Sequence, residues 1–143
     1  MNVLVDTSIW SLAFRRKSKD LNRRERLLVY EFEELVREGR ARIIGLVRQE
    51  ILSGIKVRVQ FEELRGILAV FPDEPVSTTD HETAAKAAND CQAKGIAFSA
   101  VDMLICAVAQ RRIMSIFTTD PDFERYARIL DLKLHSVPAD KTP

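Results

Sequence analysis

Apolar positions follow two regimes along the chain. Short runs suit buried strands, and longer stretches repeat at helical spacing. Val3-Leu4-Val5 is the first run, Arg42-Ile43-Ile44 the second, and residues 115–118 and 132–135 two more. Val70-Phe71, extending toward Val76, is a weak further strand. Between these runs, Leu28, Phe32, Leu35 and Val36 predict a helix over residues 22–38, closed by Gly39. Val57, Phe61, Leu64 and Leu68 predict another helix. Ala84, Ala87, Ala88 and Cys91 predict a third, opened by a capping box of Thr79 with Glu82. Val101, Leu104, Ile105, Val108 and Ala109 give the clearest helical pattern. Asp120-Pro121 starts a short helix ending near Ala127. Strands alternating with helices predict an α/β fold, a three-layer α/β/α sandwich around a mostly parallel sheet of four to five strands. No repeat or low-complexity linker interrupts residues 1–143, so one domain is expected, with Phe71-Pro72-Asp73-Glu74-Pro75 its strongest internal punctuation.

In parallel sheets, ligands bind outside the carboxyl ends of the strands. Four acids stand at such places. Asp6 follows the first strand, and Glu50 follows the second, at the expected start of the next helix. Asp102 lies in the first turn of the clearest helix, and Asp120 follows the strand ending at Thr118. Each has a plain structural reading. Asp6 can cap a helix starting at Thr7, and Glu50 can favour a helix dipole. Asp102 can pair with Ser99 in a cap, and Asp120 can cap a helix with Pro121 at its first position. Four acids at one sheet edge would repel one another unless a cation joined them. Oxygen ligands without cysteine or histidine suit a hard ion such as Mg²⁺ or Mn²⁺.

Charge and composition narrow the alternatives. Across 143 residues the formal net charge is only +1, which excludes a generally polybasic nucleic-acid binder. The balance hides an asymmetry: residues 15–26 carry seven basic and two acidic side chains, leaving the remainder at net −4. Arg15, Arg16, Lys17, Lys19, Arg23, Arg24 and Arg26 are candidate phosphate contacts or a solvated charged face. Arg111 and Arg112 more simply oppose a helix dipole. Cys91 and Cys106 read as reduced core residues of a cytoplasmic protein, with no membrane segment and no signal peptide. His81 and His135 have no ligand-spaced partner, which disfavours zinc. The sequence has no Gly-x-Ser-x-Gly turn, no Walker loop and no dinucleotide fingerprint. Ser8 stands where a haloacid-dehalogenase-like pattern needs a second Asp, and Asp6 lacks the acidic neighbour of a response-regulator receiver.

Four segments together resemble the PIN-domain ribonucleases, specifically the VapC-like toxins of type II toxin–antitoxin pairs. They are Val3-Leu4-Val5-Asp6-Thr7-Ser8, Arg48-Gln49-Glu50-Ile51-Leu52-Ser53-Gly54, Asp102-Met103-Leu104-Ile105-Cys106-Ala107-Val108-Ala109 and Phe117-Thr118-Thr119-Asp120-Pro121-Asp122-Phe123. The resemblance implies an endoribonuclease using Mg²⁺ or Mn²⁺. In it Asp6, Glu50, Asp102 and Asp120 form the acidic quartet, Asp122 is an extra acid, and Thr118 is a supporting hydroxyl, as Thr7 could be. Asp6 and Asp102 are then the expected direct ligands. Glu50 would orient water or hold a second ion, and Asp120 would complete the shell. The resemblance further implies an RNA substrate, a cognate antitoxin and a homodimer. Two other readings stay open: a PIN nuclease of RNA processing outside any toxin pair, and an RNA- or partner-binding module that does not cleave.

Overall fold

The computed structural model describes residues 1–138. Its centre is β1 (Val3–Val5), whose three side chains are wholly buried. The parallel strands β2 (Ala41–Arg42) and β3 (Ser115–Phe117) flank it, giving the order β2-β1-β3. Val3 sits opposite Ala41 and Ser115, and Val5 opposite Phe117. One parallel bridge extends each edge, Ile43 to Asp73 on one side and Ile116 to Leu134 on the other. The expected outer strands at 70–76 and 132–135 are therefore reduced to single bridges. For the first there is a direct reason: Pro72 and Pro75 flank Asp73 and offer no N–H to a ladder. Arg48 holds that loop instead, donating to Asp73 Oδ1 at 3.0 Å and to the carbonyls of Leu68 and Phe71.

Helices flank the sheet. In chain order they are α1 (Thr7–Phe14), α2 (Arg23–Arg37), α3 (Gly45–Leu52), α4 (Arg58–Leu68), α5 (Thr78–Ala93), α6 (Ala100–Arg112) and α7 (Asp122–Tyr126). α2 packs on α1 and β2, α3 on α1 and α4, and α6 on α5 and β3. Residues 103–109 of α6 are buried without a break, because the helix is covered from two sides. Trp10 ties α1 to the sheet. It is wholly buried, its indole N–H donates to the Val5 carbonyl at 3.0 Å, and its ring meets Phe32 and Phe71 edge-on at 4.9 Å. That anchor sets the first turn of α1, and with it Thr7 and Ser8.

Helix ends follow recognisable chemistry, with corrections to the sequence reading. Asn22 and Glu25 form the capping box of α2. Gly39 closes α2 in a left-handed conformation, with the Arg40 amide reaching back to the Leu35 carbonyl. The capping box of α5 is Ser77 with Asp80, not Thr79 with Glu82, so the helix begins earlier. α3 begins at Gly45, so Glu50 lies in its second turn and not at its start. The dipole explanation for Glu50 therefore fails. Arg111 and Arg112 do more than oppose a dipole, since both donate to the wholly buried Asp80 and bind the end of α6 to the start of α5. No helix among the described residues is long and apolar enough to cross a membrane.

Candidate active site

The parallel register of β1 and β3 brings their carboxyl ends level, and the Asp6 amide adds one more rung by donating to the Phe117 carbonyl at 2.9 Å. Asp6 and Thr118 leave the sheet as neighbours. Asp6 is the residue before α1, as expected, but its side chain makes no cap bond. Its Oδ2 instead accepts from Thr118 Oγ1 at 2.7 Å and from Ser8 Oγ at 3.0 Å. Both hydroxyls are themselves oriented: Thr118 Oγ1 accepts the Asp120 amide at 2.9 Å, and Ser8 Oγ accepts the Thr119 amide at 3.0 Å. The hydroxyls thus lace the two strand ends together around one carboxylate.

The remaining acids arrive from other elements. Asp102 stands in the first turn of α6, whose N-cap Ser99 accepts the Asp102 amide at 3.1 Å. Its Oδ2 accepts the Tyr126 hydroxyl from α7 at 2.7 Å. Asp120 Oδ1 accepts the Asp122 amide at 2.9 Å, which turns the chain into α7 one residue later than the sequence suggests. Asp122 is ion-paired with Arg125. Glu50 is exposed, and its Oε1 accepts from Thr7 Oγ1 at 2.5 Å.

Carboxylate oxygens of Asp102, Asp120 and Asp122 lie within 4.8 Å of one another. Such a set of hard oxygen donors fits a divalent cation. The Asp102 carboxyl titrates above its ordinary range. Burial raises it, the Tyr126 bond opposes that rise, and the negative charges of Asp6 and Asp120 push it further up. The Tyr126 hydroxyl is pushed up in turn, by burial and by Asp102. Asp6 and Asp120 are therefore both close enough to act on Asp102.

A family model described as the PIN domain matches residues 3–129. The chain belongs to the PIN domain family. No match was found among curated proteins. Solved structures share the fold at low identity. The crystal structure of FitAcB from Neisseria gonorrhoeae superposes with a TM-score of 0.74 at 18% identity, over 94% of this chain and 96% of that one. VapBC2 from Rickettsia felis, bound to a DNA fragment from its promoter, gives 0.69 at 18% identity, over 94% and 98%. A toxin–antitoxin complex from Klebsiella pneumoniae gives 0.62 at 20% identity, over 85% and 90%.

Within this PIN domain, the basic stretch is divided. Arg16 and Arg24 line a cleft of about 480 Å³ together with Ser8 and Thr118, the two hydroxyl residues that bond Asp6, so the cleft adjoins the site although none of the site's acids lines it. Arg16 is paired there with Glu25 at 3.0 Å. Arg15 lines a different cleft with Gly54, Lys56 and Gln60. Lys17 and Arg23 are exposed and line neither. Two site features escape the sequence reading. Ser8 looked like a mere absence of aspartate, although its i+2 spacing from Asp6 could have flagged a hydroxyl partner. Tyr126 had no signal at all, since its role needs α7 folded against α6.

Proposed function

We propose that this PIN domain is a Mg²⁺- or Mn²⁺-dependent endoribonuclease and the toxin of a toxin–antitoxin pair. The observation that carries the reading is the convergence of Asp102, Asp120 and Asp122 beside a hydrogen-bonded Asp6 at the carboxyl edge of the sheet. Asp6, Asp102 and Asp120, with Asp122, would hold the ion. When bound, the ion would lower the pKa of water and polarise a phosphodiester. Ser8 and Thr118 fix the Asp6 carboxylate before any ligand arrives, so little reorganisation is needed. Glu50, exposed and oriented by Thr7, is the acid best suited to receive a proton from attacking water or to hold a second ion. Arg16 and Arg24, lining the adjoining cleft, would meet the phosphates of bound RNA.

Neither histidine stands among the acids. His81 is exposed in α5, and His135 lies beside Glu31, with Nε2 3.6 Å from its carboxylate. A paired-imidazole route through a cyclic phosphate therefore has no acid and base here, and the products would carry 5′-phosphate and 3′-hydroxyl ends. The toxin assignment draws support from the solved neighbours, two of which are toxin–antitoxin or VapBC complexes by name. By that analogy an antitoxin would block the site and two copies of the chain would pair, within the cytoplasm, where free buried cysteines such as Cys91 and Cys106 persist.

The test is cleavage of tRNA and ribosomal RNA fragments by antitoxin-free protein with Mn²⁺, Mg²⁺ or EDTA. Asp6→Asn, purified identically, exposes contaminating nuclease. Defined cuts lost both with EDTA and in the variant are expected. Binding without cleavage, or 2′,3′-cyclic phosphate ends, would reject the mechanism.

A further inference from the structure

Tyr126 is 1% exposed, and its ring packs edge-on against Phe123 at 5.2 Å. A buried phenol must satisfy its hydroxyl. Here the partner is not a backbone carbonyl but Asp102 Oδ2, at 2.7 Å. Tyr126 also follows Asp122 by four residues in α7, so the two lie on one helix face. One short helix thus carries a candidate ligand and, a turn later, the group that grips a second candidate ligand on α6. A carboxylate held through one oxygen cannot rotate freely, so the direction of its other oxygen is set as well.

We propose that Tyr126 is a positioning residue for the divalent-ion site, holding the Asp102 carboxylate in its ion-binding orientation through its hydroxyl. The proposal rests on the metal-nuclease reading above. Tyr126 touches neither ion nor RNA and acts only through Asp102. Its removal should weaken metal binding more than it slows the metal-saturated reaction.

The experiment is a calorimetric Mn²⁺ titration of the full chain, as wild type, Tyr126→Phe, Phe123→Leu and Asp102→Asn, and as the double variant of Tyr126→Phe with Asp102→Asn. Tyr126→Phe keeps the ring in place, so its melting temperature in EDTA should stay within about 4 °C of wild type. Its Mn²⁺ affinity should fall about tenfold or more, as for loss of an outer partner of a metal ligand. The Mn²⁺ concentration giving half-maximal cleavage should rise in parallel, with the saturated rate largely kept. Phe123→Leu, which disturbs the same helix without touching Asp102, should lower the melting temperature and leave Mn²⁺ affinity alone. In the Asp102→Asn background, Tyr126→Phe should cost nothing further. Wild-type affinity in folded Tyr126→Phe, or an equal loss in Phe123→Leu, overturns the positioning role while the nuclease reading stands. Absence of Mn²⁺ binding by wild type overturns both. A second measurement needs no substitution. In protein labelled with 3-fluorotyrosine, Mg²⁺ should shift the fluorine resonance of Tyr126 and spare that of Tyr30. A Tyr126 resonance unmoved at saturating Mg²⁺ also overturns the proposal.

Discussion

At the scale of single residues, the candidate site is made of acids each held by a partner on one oxygen. Thr118 and Ser8 hold Asp6, Tyr126 holds Asp102, Thr7 holds Glu50, the Asp122 amide holds Asp120, and Arg125 pairs with Asp122. Such restraint favours an ion but leaves negative charges crowded without one. The raised titration of Asp102 expresses its burial first and that crowding second. A carboxyl whose folded-state pKa is raised costs stability as pH climbs past its unfolded value, and the cost persists at neutral pH. Asp102→Asn is therefore expected to abolish cleavage while leaving the melting temperature in EDTA equal or higher. Added Mn²⁺ should raise the melting temperature of wild type more than that of the variant. A second residue-scale expectation concerns Ile113. It closes α6 with φ at +54°, in the position that Gly39 and Gly95 fill after α2 and α5, and it is 69% exposed. A β-branched residue in that conformation costs about 1–2 kcal/mol, and so little packing is lost by its removal. Ile113→Gly should gain about 0.5–1 kcal/mol after the entropy cost of glycine, read as an increase in the urea midpoint.

At the scale of elements, the start of α5 and the end of α6 are bound through one buried carboxylate. Asp80 is wholly buried. It accepts from Arg111 at 2.5 Å, from Arg112 at 2.9 and 3.2 Å and from the Ser77 amide at 2.8 Å. Arg112 also donates to the Pro75 carbonyl and so fastens the preceding loop. Burial alone would raise the Asp80 carboxyl, but bonds from Arg112, Ser77 and Arg111 overcome it and hold the group far below the ordinary carboxylate range. The sign follows from linkage: with the folded value depressed, the stabilisation is complete above the unfolded pKa of about 4. It is lost as pH falls from there toward the folded value. Asp80→Asn should cost about 3 kcal/mol at pH 7, because it leaves two arginines without their buried counter-charge. The gap between wild type and variant should narrow below about pH 4. Urea midpoints measured from neutral to acid pH check both statements.

At the scale of the whole molecule, acidic and basic groups come from different parts of the chain. The acids gather at the carboxyl edge of the sheet, while the surplus positive charge of residues 15–26 lies in the connection after α1 and in the first turn of α2. Arg16 and Arg24 of that stretch line the cleft that Ser8 and Thr118 join to the site. Replacing both with alanine should weaken RNA binding across sequences and flatten the dependence of log affinity on log salt by about two phosphate contacts. Lys17→Ala with Arg23→Ala, made as a comparison, should change the slope less. Filter binding across a salt series distinguishes the pairs.

The elements were legible in the sequence wherever a local period or cap encodes them. β1, the span of α2 from Asn22 to Gly39, and the helical repeat of α6 rest on side chains within a few residues of one another. The placement of three acids was legible for a related reason: Asp6 and Asp120 come just past strands, and Asp102 opens a helix, whereas Glu50 lies deeper in α3 than its spacing suggests. What the chain could not disclose locally are contacts between elements that only packing joins. Thr118 meets Asp6 and Ser8 across 112 and 110 positions, Tyr126 reaches Asp102 from another helix, and Arg111 and Arg112 find Asp80 on α5. The truncated edge strands belong with these, since Asp73 and Leu134 pair only where neighbouring backbone is free to receive them. Sequence alone determined the alternation of strand and helix, the acids at strand ends and the family those segments resemble, because hydrophobic period and turn chemistry act over short range. Tertiary structure alone decided which oxygen of each acid is held, which arginines line the cleft beside the site and which buried charges are paired, because these depend on distances fixed only once the sheet and its helices are packed.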